Sequence, residues 1–144
     1  MTTSEKLTAK FGTPAPDFER QWMELAIVPE HIHKAIPCLP PKIYINKLLT
    51  IHLWETFSML ISKGLSGEIK TFDGCFNIRK IRGSETVMSI HSWGLAIDLN
   101  AKENPLNGQC MWSPSFLKVW KEMGWTLGAD FKRVDAMHFE FTNI

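Results

Sequence analysis

Residues 89–100 read Ser-Ile-His-Ser-Trp-Gly-Leu-Ala-Ile-Asp-Leu-Asn. From Gly94 onward the residues alternate, with three aliphatic side chains on one face and Asp98 on the other. An alternation with a period of two is typical of a β-strand that has one buried face. The stretch therefore predicts a strand over 94–100, with Asp98 on its polar face and His91 just before it.

The flanking sequence predicts further elements around this strand. Apolar residues at helical spacing predict a helix over 44–63, and the pair Ser113-Pro114 predicts the start of another. Residues 68–81 have a β-like pattern, and residues 137–142 alternate again. This order indicates an α+β fold with one small antiparallel sheet and helices packed on one face of it.

The length of 144 residues is that of a single domain, 1–144. Within it, residues 1–40 are predicted to form an N-terminal arm and helix whose role stays open. Of these, residues 1–15 look like a loose polar arm, and a helix is predicted from Asp17 to about 27. Residues 41–144 are expected to form the functional core.

The composition excludes several classes of function. Hydrophobic residues make up 44% and charged residues 22% of the chain, as in ordinary globular proteins. A net charge of +1 gives no field that would attract nucleic acid or an anionic membrane. No apolar stretch is long enough for a membrane helix or a secretion signal, so we expect synthesis and folding in a cytoplasm.

Three side chains in or beside the predicted strands are suited to binding a metal. They are His91, Asp98 and His138, and two imidazoles with one carboxylate form a set that zinc accepts while keeping a position for water. Water bound in this way is a usable nucleophile near neutral pH. The spacing alone is equally compatible with Asp98 capping a turn and His91 making ordinary hydrogen bonds.

A hydrolytic metal centre also needs a base that does not bind the metal, and Asp135 is the candidate. In an unbroken strand Asp135 and His138 would point to opposite faces, because their positions differ by an odd number. We therefore predict a backbone turn near Asp135-Ala136, with the strand beginning at about Met137. Glu140 shares a face with His138 and is the rival base.

Cationic and aromatic side chains are candidates for substrate contacts. Arg79 and Arg82 precede the predicted strand, and a guanidinium at either position suits a carbonyl oxygen or a carboxylate. Either can equally be a solvated surface charge. Trp93 and Trp125 are the two tryptophans expected to line a substrate groove beside the site.

Two segments resemble motifs of a known family. Residues 89–98 resemble the SxHxxGxAxD motif of the M15 metallopeptidases, and residues 135–138, Asp-Ala-Met-His, resemble the family's second motif, an acidic residue three positions before a histidine. The resemblance covers about residues 66–144 and implies the small α+β zinc-peptidase fold shared with the hedgehog signalling domain. The family includes D-alanyl-D-alanine carboxypeptidases, D-Ala-D-Ala dipeptidases and phage L-alanyl-D-glutamate endopeptidases.

The resemblance also implies roles for single residues. His91, Asp98 and His138 match the zinc ligands, Asp135 matches the catalytic acid/base, and Ser89 matches a serine beside the substrate. The family's substrate-binding arginine usually stands in a Tyr-Arg-Ser context, which this chain lacks. The assignment therefore stays between Arg79, the first choice, and Arg82.

These features imply zinc-dependent hydrolysis of peptide bonds in peptidoglycan stem peptides. An aspartate as acid/base and a short chain without a signal favour an endolysin-like L-Ala-D-Glu endopeptidase, acting as a monomer without nucleic acid or membrane partners. It would be made in a bacterial cytoplasm and would reach the wall through lysis, a partner or a phage particle. A D-Ala-D-Ala carboxypeptidase or dipeptidase, and a non-catalytic hedgehog-like zinc-binding module, are the alternatives.

Overall fold

The computed structural model describes all residues, Met1–Ile144. Its helices are Thr3–Phe11 (α1), Pro16–Trp22 (α2), Glu30–Ala35 (α3), Thr50–Ser62 (α4) and Pro114–Glu122 (α5). Its strands are Met23–Ile27 (β1), Lys42–Asn46 (β2), Phe72–Gly74 (β3), Ala96–Leu99 (β4), Thr126–Leu127 (β5) and His138–Glu140 (β6). Single 3-10 turns lie at Ser66–Glu68, Ile90–Trp93 and Gly128–Asp130.

The strands form two antiparallel sheets. One contains four strands in the order β3-β4-β6-β5, and the other is the pair β1-β2. The predicted α+β class is therefore confirmed. One antiparallel sheet was expected, however, and the structure has two. In the larger sheet Asp98 of β4 lies directly opposite His138 of β6. This register brings together two residues that are 40 positions apart in the chain.

One face of the larger sheet packs into an aromatic core. Phe139 of β6 is fully buried, and its ring centroid lies 4.2 Å from that of Trp120 on α5. Ile97 of β4 and Phe116 of α5 are fully buried as well. Each such side chain contributes about 1.5–3 kcal/mol on burial. Because residues alternate along a strand, this packing leaves Asp98 and His138 on the opposite face.

Two of the predicted elements are confirmed closely. The strand expected over 94–100 is β4, and the helix expected after Ser113-Pro114 is α5, whose first turn is capped by the Ser113 hydroxyl accepting from the Phe116 amide. The interrupted β-like segment 68–81 contains only the short strand β3.

The start of the helix predicted over 44–63 is wrong. The helix begins at Thr50, and residues 42–46 form β2 instead. Ile43 and Ile45 are buried at alternate positions, while β2 pairs with β1 along its whole length. The residues after Trp22, which were predicted to continue a helix to about 27, form that partner strand. Pairing between the two segments outweighs the helical spacing that each shows alone.

The first residues are a helix and not the loose arm that the sequence suggested. Thr2 and Glu5 form a reciprocal capping box at the start of α1. Leu7 and Phe11 are buried against the core. None of the helices combines the length and the apolar character needed to cross a bilayer.

Candidate metal centre and catalytic pocket

The three predicted metal ligands converge on one point. His91 Nε2 lies 3.2 Å from Asp98 Oδ1, His138 Nδ1 lies 3.2 Å from His91 Nε2, and His138 Nδ1 lies 3.4 Å from Asp98 Oδ1. They are the only group of three or more histidine, cysteine and acidic side chains in the structure that is close enough to share an ion.

The spacing of these atoms fits a tetrahedral metal. Ligands at about 2.0–2.1 Å from a zinc ion lie about 3.3–3.4 Å from one another at the corners of a tetrahedron. The observed separations of 3.2–3.4 Å are close to that edge length. Three protein ligands leave the fourth corner free, which is the arrangement of catalytic rather than structural zinc sites.

His91 is oriented by the backbone. Its Nδ1–H donates to the carbonyl of Cys75 over 2.7 Å, so the lone pair of the neutral ring lies on Nε2, the atom that faces Asp98. The Ser89 hydroxyl accepts from the His91 amide and caps the 3-10 turn that carries the histidine. Gly94 ends that turn at φ +66°, where a side chain would collide with Met23.

His138 is oriented by a carboxylate. Its Nε2–H donates to Glu140 Oε1 over 2.8 Å, which leaves Nδ1 to face His91 and Asp98. Both residues lie on the polar face of β6, and Glu140 is buried. Since its carboxylate is engaged with the far side of a ligand, Glu140 is better suited to hold His138 in place than to serve as the rival base.

The electrostatics of the cluster favour a cation at its centre. Burial works to raise the pKa of Asp98, but the hydrogen bond from His138 and the interaction with His91 outweigh it and lower the pKa to about 2. Burial works to lower the pKa of His138, but hydrogen bonds to Asp98 and Glu140 raise it to about 9. Without a metal, the two carboxylates thus retain a proton on His138, and a divalent ion would replace that proton.

We expect Glu140→Gln to weaken zinc binding by about 10- to 100-fold, because it removes the charged acceptor that fixes the His138 ring. Competition titration with a chromophoric chelator measures this affinity. If the protein is the hydrolase that the family resemblance implies, saturating zinc should restore most of the activity of the variant. If saturating zinc restored none of it while zinc bound normally, Glu140 and not Asp135 would be the base.

The turn predicted before the last strand is present. The His138 amide donates to the Asp135 carbonyl over 2.9 Å, and β6 begins at His138. Asp135 is half-buried and lines a cavity together with Asp98, His138 and Glu140. Desolvation raises the pKa of its carboxyl above the ordinary value, although the histidines oppose this. The turn thus places a non-ligand carboxylate in the cavity that the candidate metal ligands line.

Gly128 is a residue that the sequence analysis missed. Its carbonyl accepts from the Asp135 amide over 2.9 Å, and a Cβ at this position would lie 2.0 Å from the Asp135 carbonyl oxygen and 2.9 Å from the His138 Cβ. Only glycine allows the chain to pass this closely to the turn that carries both site residues.

Gly128→Ala should therefore displace that turn. We expect it to lower the free energy of unfolding by about 1–3 kcal/mol and to weaken zinc binding, because the clash is with backbone and cannot be relieved by a rotamer change. Denaturant unfolding and zinc titration measure the two effects. Gly67→Ala is the control, since no atom lies within 4 Å of its added Cβ. A wild-type zinc affinity in Gly128→Ala would contradict this account.

The cavity also contains the predicted substrate contacts Arg79, Arg82 and Ser89. The backbone of Arg79 is fixed to the loop that carries His91: its carbonyl accepts from the Ser89 amide over 2.8 Å and from the Ser92 hydroxyl over 3.0 Å. Arg82 lies on the exposed loop that follows. Arg133 lines the cavity too and was not predicted.

Trp93 and Trp125 do not line the cavity, and their predicted groove role is corrected. Trp93 is fully buried, and its Nε1–H donates to the Gly12 carbonyl over 3.0 Å, which joins α1 to the loop that carries His91. Trp125 is 4% exposed and donates to the Thr56 hydroxyl on α4. Proximity in sequence to the motifs suggested contact with substrate, but both rings complete the core.

The fold and the site together define a small α+β domain with a candidate mononuclear metal centre and a separate acid beside it. A family model described as D-alanyl-D-alanine carboxypeptidase, of the M15 peptidases, matches residues 82–141, a little under half of the chain. This match covers all three candidate ligands and Asp135, and it confirms the resemblance to the M15 peptidases for this region. No curated protein and no solved structure matches the chain.

Proposed function

We propose that the protein is a zinc-dependent peptidase that cleaves peptidoglycan stem peptides. The observation that supports this most directly is the set of three donor atoms 3.2–3.4 Å apart, with the non-ligand acid Asp135 in the same cavity. The M15 match adds the reaction class, since it covers the residues that form this set. We also propose that it acts as a monomer without nucleic acid or membrane partners; for the partners, the support is the net charge of +1, which gives no field that would attract nucleic acid or an anionic membrane.

Each residue of the site has a role in this proposal. His91, Asp98 and His138 hold the ion, which when bound acidifies a water molecule and polarises the scissile carbonyl. Asp135 accepts the proton of the attacking water and then delivers it to the leaving amine, a task that a raised pKa assists. Arg79, fixed by its backbone to the metal-binding loop, binds a substrate oxygen.

Within this activity we propose the L-Ala-D-Glu bond as the one that is cut. The aspartate at position 135 supports this choice, because carboxypeptidase members of the family often have glutamate there. D-Ala-D-Ala carboxypeptidase activity is the second candidate, and the description of the matching family model favours it. The two activities release different products from one substrate: new alanyl and glutamyl ends, or free D-alanine.

Digestion of purified peptidoglycan followed by mass spectrometry of the muropeptides tests the proposal. We expect stem peptides cut between L-Ala and D-Glu, with cleavage abolished by a chelator and restored by zinc. Loss of only the terminal D-alanine would show that the activity is that of a carboxypeptidase and not of an endopeptidase. A zinc-loaded protein that releases no peptide would instead be a non-catalytic zinc-binding module.

A further inference from the structure

Asn46, the last residue of β2, binds the turn that carries the candidate ligand His91. Its side-chain N–H donates to the Trp93 carbonyl over 3.0 Å, and its backbone N–H donates to the Gly94 carbonyl over 3.2 Å. Both carbonyls lie at the end of the 3-10 turn Ile90–Trp93, where helical turns leave carbonyls without internal partners. Asn46 therefore satisfies both groups at the point where the chain leaves the turn toward β4.

The other hydrogen-bonding groups of Asn46 are fixed as well. The residue is fully buried, its side-chain oxygen accepts from the Leu48 amide over 3.0 Å, and its backbone carbonyl accepts from the Leu49 amide over 2.8 Å. Since the oxygen faces a donor and the nitrogen faces an acceptor, only one orientation of the side-chain amide satisfies both ends. Asn46 is thus a rigid link between β2 and the turn.

The smaller sheet contacts the same turn through a second residue. Met23 of β1 lies directly opposite Asn46 in the β1-β2 pair. A Cβ on Gly94 would lie 2.6 Å from the Met23 side chain and 2.8 Å from the Asn46 backbone nitrogen. This sheet contributes no candidate ligand and no residue that lines the cavity. Its effect on the site would therefore be exerted through the turn that carries His91.

The opposite side of the turn is bound to a different part of the chain. The Ser92 hydroxyl donates to the carbonyl of Asn77 or Arg79, and His91 Nδ1–H donates to the Cys75 carbonyl. The turn is therefore held between two separate segments, and His91 lies between them. Zinc–ligand distances in proteins vary by only about 0.2 Å, so a small rotation of the turn would move the imidazole out of range.

We infer that Asn46 is a positioning residue for the metal centre. By satisfying both carbonyls at the end of the turn, it fixes the orientation in which His91 faces the other two ligands. The inference rests on the proposed zinc-dependent function and assigns part of it to a sheet that contributes no ligand. Because coupling between two sites is reciprocal, an ion that needs this orientation must in return stabilise the contacts of Asn46.

Asn46→Asp is the variant that tests this role. It keeps the size of the side chain and the acceptor for Leu48, but it places a second oxygen against the Trp93 carbonyl. We expect zinc affinity to fall by about tenfold or more, the effect typical of residues that orient a ligand. Saturating cobalt(II), which has a visible spectrum, should give altered bands, because these report the coordination geometry. A purely structural role would lower the stability of the fold and leave the spectrum of the folded, cobalt-loaded protein unchanged.

Asn104→Asp is the matched control. Asn104 is also buried, its side-chain nitrogen donates to the Asn100 carbonyl over 3.3 Å, and its oxygen accepts from the Met111 amide over 2.7 Å. The same substitution there breaks the same kind of hydrogen bond away from the turn of His91. We expect a similar loss of stability, with wild-type zinc affinity and cobalt spectrum. If Asn46→Asp kept both properties, or if both variants lost them equally, the inference would be overturned and the peptidase proposal left intact.

Hydrogen exchange of the wild-type protein tests the same coupling should Asn46→Asp fail to fold. Zinc should slow exchange of the Leu48 amide, which donates to the Asn46 side chain, more than that of the Phe116 amide, which donates to a side-chain oxygen at the start of α5. Equal slowing of the two amides would overturn the inference. None of these measurements needs peptide cleavage, so a zinc-binding protein without peptidase activity would refute the proposed function alone. A protein that binds neither zinc nor cobalt would overturn both.

Discussion

Asp135→Asn should lower kcat for stem-peptide cleavage by about 10²–10⁴-fold while the protein still binds one equivalent of zinc. The asparagine fills the same space but cannot accept a proton from water. Asp135 is not among the three residues whose donor atoms converge, so its loss removes the base without removing a ligand. Steady-state kinetics at saturating zinc and metal analysis of the purified protein measure the two quantities.

Asp130→Asn is the matched control for this substitution. Asp130 is exposed, lies in the turn that starts at Gly128 and pairs with Lys121, and it does not line the cavity. We expect it to change kcat by less than about twofold, because exposed ion pairs contribute little. A normal rate in Asp135→Asn would remove this residue from the mechanism, and a loss of zinc would make it part of the metal centre.

Asp135→Asn and Glu140→Gln together distinguish the two carboxylates. Asp135→Asn should lose hydrolytic activity that added zinc cannot restore. Glu140→Gln should lose zinc affinity, and saturating zinc should restore its activity. The difference follows from geometry, since Glu140 accepts from the ring of a ligand and Asp135 does not. The spacing of two residues between His138 and Glu140 placed both side chains on one face of β6. That spacing could not show whether Glu140 acts as the base or orients His138.

The grouping of His91, Asp98 and His138 could be predicted once the family motifs were added to the strand pattern, because the spacing alone fits ordinary hydrogen-bonded side chains equally well. Alternation in β4 fixes the face of Asp98, and the odd spacing of Asp135 and His138 requires the turn that is observed. The pairing of β4 with β6 then follows from burying one apolar face of each strand. Local pattern and family motif agree at these positions.

Other features depend on contacts between distant parts of the chain, which no local pattern contains. The strand β2 forms only because β1 pairs with it, and Trp93 is a core residue because α1 provides the carbonyl of Gly12 as acceptor. The need for glycine at position 128 arises from the close approach of the Asp135 backbone. The capping box of Thr2 and Glu5, in contrast, is a local signal for α1 that the sequence does contain.

His138→Ala should abolish both tight zinc binding and hydrolysis. It removes one of three ligands from a site that has no fourth protein donor in reach, so the ion would keep only His91 and Asp98. Zinc that binds the native state but not the unfolded chain stabilises it by about 4 kcal/mol at 1,000 times Kd. We therefore expect added zinc to raise the Tm of the wild type and not that of His138→Ala.

The control is His31→Ala, which removes an exposed histidine that is not part of the metal cluster and should leave the zinc-dependent rise in Tm unchanged. Removing His138 also leaves Glu140 buried without its partner, so the metal-free variant should be less stable for a reason unrelated to zinc. His91→Ala separates the two causes, because its partner on the far side is the Cys75 carbonyl and no buried carboxylate is left unpaired there. A zinc-induced rise in Tm in either variant equal to that of the wild type would show that the ion binds elsewhere, and the convergence of these three side chains would then have no catalytic meaning.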